Sequence, residues 1–203
     1  MGLRQRQIPR ETLTMADIVS KLEPLLQIQP NKVLVIMLCG PPGSGKTTLS
    51  QEIVAQNPIL WEHVSQERVI APYRGQFDSA YREPTPNEEH HRVRLRARAG
   101  IRLRLLAWLD RLQPWRGLIL DDRFSRKAER DEFRAVIEEA GAEVRLVFLD
   151  FDKDVLWDRI KGRTELAAKE RLPGWIMDRA MFEESWKAFK RPRDEGEHTI
   201  SGR

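Results

Sequence analysis

KVLVIMLCGPPGSGKTTLS, residues 32–50, decides the reading of this chain. Behind Lys32 stands an unbroken apolar run from Val33 to Cys39, the pattern of a strand covered on both faces in a parallel sheet. Gly40-Pro41-Pro42-Gly43-Ser44-Gly45-Lys46-Thr47 then satisfies G-x-x-x-x-G-K-[ST] at every fixed position. Glycines there let the backbone take positive φ and bring successive N–H groups within reach of one anion. The helix starting near Lys46 turns its positive end to the same point. The ligand this chemistry implies is a nucleoside triphosphate, ATP or a close relative, lying along Gly40 to Thr48. Lys46 is expected on the β and γ phosphates and Thr47 on Mg²⁺. By chance such a string arises in about one chain of this size in two hundred. The strand before it and the helix after it, carried by Leu49, Ile53 and Val54 until Asn57 and Pro58, are the context the motif requires.

Working outward, Thr14 and Asp17 form a capping-box pattern, followed by Ile18, Leu22, Leu25 and Leu26 at helical spacing up to Pro30. Residues 1–31 therefore read as an N-terminal helical extension to a single domain spanning 32–203. Beyond the glycine loop, Leu60 to Val64 reads as a second strand and Ala71 to Asn87, punctuated by Pro72, Gly75, Pro84 and Pro86, as a long loop. His91 to Leu112 fits a helix through Val93, Ala97, Ile101, Leu105, Trp108 and Leu112. Gly117 to Asp121 is a buried strand, Ser125 to Ala140 a helix closed by Gly141, and Val144 to Leu149 another strand. Val155 to Arg163 opens a further helix. Glu165 to Arg193 is charged and helical with a break at Pro173 and Gly174, and His198 to Ile200 is a last edge strand. Strands alternating with helices define an α/β fold of three layers: a mostly parallel five-stranded sheet with a helical lid at about 159–193.

Bulk properties bound the rest. With 203 residues, 40% hydrophobic and 33% charged, the chain has the make-up of one globular domain, and no apolar run approaches the roughly 20 residues of a membrane span. Met1 to Arg10 carries Arg4, Arg6 and Arg10 but no apolar centre, so a cytoplasmic location is expected. The lone Cys39 reads as a small buried hydrophobe. The formal charge of +4, from 35 basic and 31 acidic residues, is unevenly spread. Arg92, Arg94, Arg96, Arg98, Arg102 and Arg104 concentrate it in one stretch, either facing nucleic acid or a phosphorylated ligand, or forming the solvated face of a long helix. His90 and His91 beside Glu88 and Glu89 read as a solvated helix start rather than a metal cluster. Trp108, Trp115, Trp157, Trp175 and Trp186 read as packing residues.

A triphosphate site of this kind needs a carboxylate at the end of a neighbouring strand, to hold the metal or its water shell or to take a proton from an acceptor. Asp121 and Asp122 end the apolar strand; the plainer reading makes them caps of the helix near Ser125. Three blocks then carry a family likeness: LDDRFSRKAERDEF (120–133), EEAGAEVRLVFLDFDKDVLWDRIKGR (138–163) and FEESWKAFKRPRDEGE (182–197). With the glycine loop, they resemble the "predicted kinase" branch of the P-loop superfamily, an AAA-type ATP-binding group related to polynucleotide kinase, zeta toxin and chloramphenicol phosphotransferase. The resemblance spans Val33 to Glu197.

It implies Asp121 as a metal and catalytic carboxylate followed nine residues later by an arginine, here Arg130. It implies lid arginines at Arg159 and Arg163, four residues apart on one helical face, closing over the transferring phosphoryl beside Lys46. Asp121, Asp122 and Arg123 would border the acceptor hydroxyl, with Arg68, Arg126 and Arg130 on the substrate side. Relatives carry an aspartate, and an arginine three residues on, after the second strand; this chain has Ser65-Gln66-Glu67-Arg68, so Glu67, Asp78 or Asp122 would serve as base, or none does. Three functions follow in order. The first is an ATP-dependent kinase acting on a hydroxyl of a small molecule or nucleotide. The second is an ATPase or nucleotide switch without organic acceptor, and the third a nucleic-acid-binding protein or end kinase.

Overall fold

The computed structural model describes residues 13–65, 87–111, 113–170 and 177–202. Within these, five strands form one sheet: β1 (Leu34–Cys39), β2 (Trp61–Ser65), β3 (Gly117–Asp121), β4 (Glu143–Phe151) and β5 (His198–Gly202). They lie in the order β2-β3-β1-β4-β5 with every neighbouring pair parallel. The helices are α1 (Met15–Leu22), α2 (Lys46–Gln56), α3 (Asn87–Leu109), α4 (Lys127–Glu139), α5 (Lys153–Glu170) and α6 (Arg179–Ala188). This is the α/β, three-layer arrangement expected from the sequence. The expected loop at 71–87 and the break at Pro173 and Gly174 lie outside the described residues, apart from Asn87, the first residue of α3.

β1 shows why the layers form. All six of its residues are buried, and because successive side chains point to opposite faces, they serve two cores. Leu34, Ile36 and Leu38 pack with Ile18, Val19 and Leu22 of α1, Leu49 and Ile53 of α2, and Leu156 and Ile160 of α5. Val35, Met37 and Cys39 pack with Ile101, Leu105 and Leu109 of α3 and Phe133 and Ile137 of α4. Each such side chain contributes about 1.5–3 kcal/mol relative to exposure, so a central strand buried on both sides is a principal source of stability. The N-terminal helix, read from sequence as an extension, adds three residues to the first core. Its capping box is present, with Thr14 accepting from the Asp17 amide and Asp17 from the Thr14 amide.

At the other end of the chain, residues 189–197 strap the fold together. Phe189 stacks on Phe148, and the Lys190 amide donates to Ser125 O at 2.8 Å. Arg130 of α4, 1% exposed, donates from Nε and Nη2 to the Glu195 carboxylate at 2.7 and 2.6 Å and from Nη1 to Phe124 O and Lys190 O at 2.8 and 3.0 Å. The bidentate pairing holds the Glu195 carboxyl below its ordinary range. Trp115, expected to pack, is instead 66% exposed at φ 65° on the turn before β3.

Glu195→Gln leaves the Arg130 guanidinium buried without a counter-charge. We expect urea denaturation at pH 7 to show a loss of about 3–5 kcal/mol. A depressed carboxyl adds stability above its ordinary value of 4.5 and loses it as pH falls through the depressed one. The gap between wild type and variant should therefore shrink in acid, and a gap independent of pH would contradict the assignment.

Candidate active site

The loop from Gly40 to Thr47 joins β1 to α2 across the top of the sheet. Gly45 caps α2 in the left-handed conformation at φ 91°, which starts the helix at Lys46. Gly43 also takes positive φ, 81°, and a Cβ on it would lie 2.7 Å from Leu156 O and 3.1 Å from Ile160 Cγ1. The loop is thus packed directly against the first turns of α5. Pro41 and Ser44 are buried, Pro42 is half-buried, and Thr48 is exposed on the first turn of α2.

Lys46 is 9% exposed, and its ammonium donates to Gly40 O at 2.9 Å, Pro41 O at 3.0 Å and Ser44 Oγ at 3.2 Å. Burial lowers its pKa, with the Asp121 charge opposing. A cation held so close to the loop's own carbonyls is poised to exchange them for phosphate oxygens, which are stronger, charged acceptors.

Thr47 and Asp121 meet although 74 residues apart: Thr47 Oγ1 donates to Asp121 Oδ2 at 2.6 Å. The parallel register sets this up, since β3 places Asp121 opposite Leu38, just before the loop. A threonine hydroxyl whose proton goes to a carboxylate keeps its lone pairs for a hard cation. Among the described residues no group of three His, Cys, Asp or Glu side chains gathers as a metal cluster. One hydroxyl and one carboxylate suit Mg²⁺, which keeps waters and binds through phosphates rather than through an all-protein cage. The residues present therefore fit that ion.

Asp122 is half-buried and accepts from the Arg123 amide at 2.7 Å, and loss of hydration raises its pKa. The Arg123 carbonyl in turn accepts from the Gly40 amide at 3.3 Å, fastening the strand-end loop to the glycine loop. Phe124, at φ 46°, turns the chain there, its carbonyl held by Arg130 Nη1 and by Cys39 Sγ at 3.5 Å. Cys39 is the buried, inert thiol expected, its pKa pushed up to about 12 by burial.

The arginines divide. Arg159 lies on α5 next to Ile160, stacked over the Phe151 ring with Cζ 4.4 Å from the centroid. Burial lowers its pKa, and its guanidinium has no acid partner among the described residues. Arg163, one turn on, is exposed. Arg126 is exposed at the N-cap of α4, and Arg123 is half-buried beside Asp122. Arg130, expected on the substrate side, is not presented to the site: Glu195, Phe124 O and Lys190 O take up its guanidinium. Arg68 lies outside the described residues, as do Glu67 and Asp78.

One residue escaped the sequence reading. His63 of β2 is buried with Nε2 3.3 Å from Asp121 Oδ2. Its signal was the alternation of WEHVS, which puts Trp61, His63 and Ser65 on one buried face. Ser65, standing where relatives carry aspartate, is 2% exposed and opposite Asp121 in register.

A parallel α/β sheet ending in a phosphate-binding loop with a paired threonine and strand-end aspartate defines a P-loop protein of kinase-like fold. The chain belongs to the AAA domain family, which it matches over residues 35–180. No curated protein matches it in sequence. Among solved structures it is similar to a gluconokinase from Sinorhizobium meliloti 1021, at 18% identity and TM-score 0.53, covering 87% of this chain and 85% of that one. Kti12 of Chaetomium thermophilum, solved with ADP-AlF3, is similar at 20% identity and TM-score 0.55, covering 82% and 88%. A sugar kinase from Janibacter sp. HTCC2649 is similar at 18% identity and TM-score 0.50, covering 85% and 86%.

Gly43→Ala forces a Cβ into positive φ and against the Leu156 carbonyl. We expect a stability loss of about 1–3 kcal/mol with weakened nucleotide binding. Gly196→Ala, at φ 71° but with open space around its Cβ, isolates the backbone part and should leave nucleotide binding intact. Equal nucleotide affinity in both variants would contradict the packing of the loop on α5.

Proposed function

We propose that this protein is an ATP-dependent phosphotransferase that moves the γ-phosphoryl of Mg·ATP to a hydroxyl of a small molecule or nucleotide. The observation that carries this is the contact of Thr47 with Asp121 directly beside the buried Lys46. Phosphoryl transfer asks a protein for position and for positive charge around three equatorial oxygens. The backbone amides of Gly43 to Thr48 and the Lys46 ammonium supply both at the β and γ phosphates. Thr47 and Asp121 would hold Mg²⁺, which supplies further neutralisation there. Arg159, exposed on α5 over the Phe151 ring and without an acid partner among the described residues, is the cation we assign to meet phosphoryl charge; Arg163 follows it on the same helical face. With serine at 65, Asp122 is the described carboxylate next to Asp121 that we assign as the base for the acceptor hydroxyl, on the strand-end loop fastened to the Gly40 amide through the Arg123 carbonyl. Arg123 and Arg126 border the acceptor side.

A second reading, ATP hydrolysis without an organic acceptor, is favoured by Ser65 alone. Nucleic-acid binding through α3 ranks third: of its described arginines, Arg98 pairs with Glu129 and Glu132 and Arg102 with Glu132, while Arg96 and Arg104 are exposed. No helix among the described residues is long and apolar enough to cross a membrane, and we place the activity in the cytoplasm.

The test is a mass-spectrometric screen of metabolite extract, sugar acids such as gluconate, and nucleic-acid 5′ ends, incubated with enzyme and ATP. We expect a product heavier by one phosphate that is absent with Lys46→Ala. Arg159→Ala should lower turnover about 10²–10³-fold. Phosphate release that needs no acceptor would move the assignment to the hydrolase reading.

A further inference from the structure

We infer that His63 is a positioning residue for the Asp121 carboxylate, and through it for the metal that Thr47 and Asp121 would hold. The inference rests on the proposed role of those two residues. Two elements converge on a single atom. Asp121 Oδ2 receives the Thr47 hydroxyl at 2.6 Å from α2 and faces His63 Nε2 at 3.3 Å from β2. The His63 side chain is 1% exposed and that of Asp121 is 5% exposed, so water does not compete for the contact. A carboxylate oxygen only accepts, so the ring nitrogen facing it carries the hydrogen.

The register explains the approach. Ser65 lies opposite Asp121 and His63 opposite Ile119, so His63 is the diagonal neighbour of Asp121, within reach of a ring side chain. Apart from Ser65 and Asp121, that face is apolar: Trp61 on β2 and Ile119 on β3 belong to the core beneath α2. A histidine among them costs free energy unless it is hydrogen-bonded, and one of its contacts is to the site carboxylate. With Oδ2 fixed from two sides, the carboxylate cannot rotate, and Oδ1 is left without a hydrogen bond from the described residues. That is the oxygen available to the water shell of a cation. A core-filling histidine would be replaceable by an apolar ring at no cost to the site; a positioning one would not.

The test follows the affinity of a fluorescent ATP analogue in magnesium and again in EDTA, so the readout is binding. In wild type, magnesium should tighten binding. His63→Phe should leave the EDTA affinity within about twofold and cut the magnesium-dependent gain about 10- to 100-fold. His63→Gln, whose amide nitrogen reaches the Nε2 position, should keep that gain. If His63→Phe does not fold by circular dichroism, His63→Asn takes its place, since its shorter amide falls short of Oδ2. Full magnesium gain in a folded Phe or Asn variant overturns the inference and leaves the phosphotransferase reading standing. Nucleotide binding in wild type that magnesium does not alter overturns both, through the metal role of Thr47 and Asp121.

Discussion

Leu38 stands opposite Asp121 in the parallel pairing of β1 with β3, and that alignment decides what the top of the sheet can do. Shifted by one residue, the β3 carboxylate would point to the α3 and α4 side, away from the start of α2. In register, it meets Thr47, the second residue of the helix that the glycine loop opens. The register is enforced by the core, because β1 sends Leu34, Ile36 and Leu38 to one apolar layer and Val35, Met37 and Cys39 to the other. Packing thereby fixes the site, and the hydroxyl–carboxylate contact is its local expression.

The surrounding elements hold this arrangement from two directions. On one side, α5 packs its Leu156 carbonyl and Ile160 against Gly43, so the helix that carries Arg159 is in contact with the phosphate-binding loop. On the other, the strap at 189–197 is locked to α4 by the buried Arg130–Glu195 pair, and Arg130 also holds the carbonyl of Phe124. Phe124 is the residue whose positive φ turns Asp122 and Arg123 back toward Gly40. A buried charge pair is weak evidence for net stability, but breaking it would free both the strap and that turn.

Much of the fold was legible in the sequence because its signals are local. The apolar run, the glycine spacing and the capping box each lie within a few residues of what they form, and all five strands stand where periodicity put them. β4 runs longer than expected, from Glu143 to Phe151, because it extends alongside both β1 and β5. What sequence could not display are pairings between distant residues. Arg130 follows Asp121 at a family spacing, which suggested the substrate side, yet the fold turns it to Glu195, 65 residues on. His63 has a readable face but not a readable neighbour, since strand periodicity shows which way a side chain points and not what the adjacent strand places there. Trp115 looked like a core residue by type, yet it sits at positive φ on the turn before β3 with its side chain exposed.

The account turns on a cradle of backbone amides with Lys46, completed by Thr47 and Asp121, that receives a triphosphate and its cation. Titration calorimetry of the purified, folded chain with Mg·ATP measures this directly. One-site saturable binding that is lost in Lys46→Ala is the expected result. No heat of binding with either Mg·ATP or Mg·GTP at millimolar concentration would contradict it.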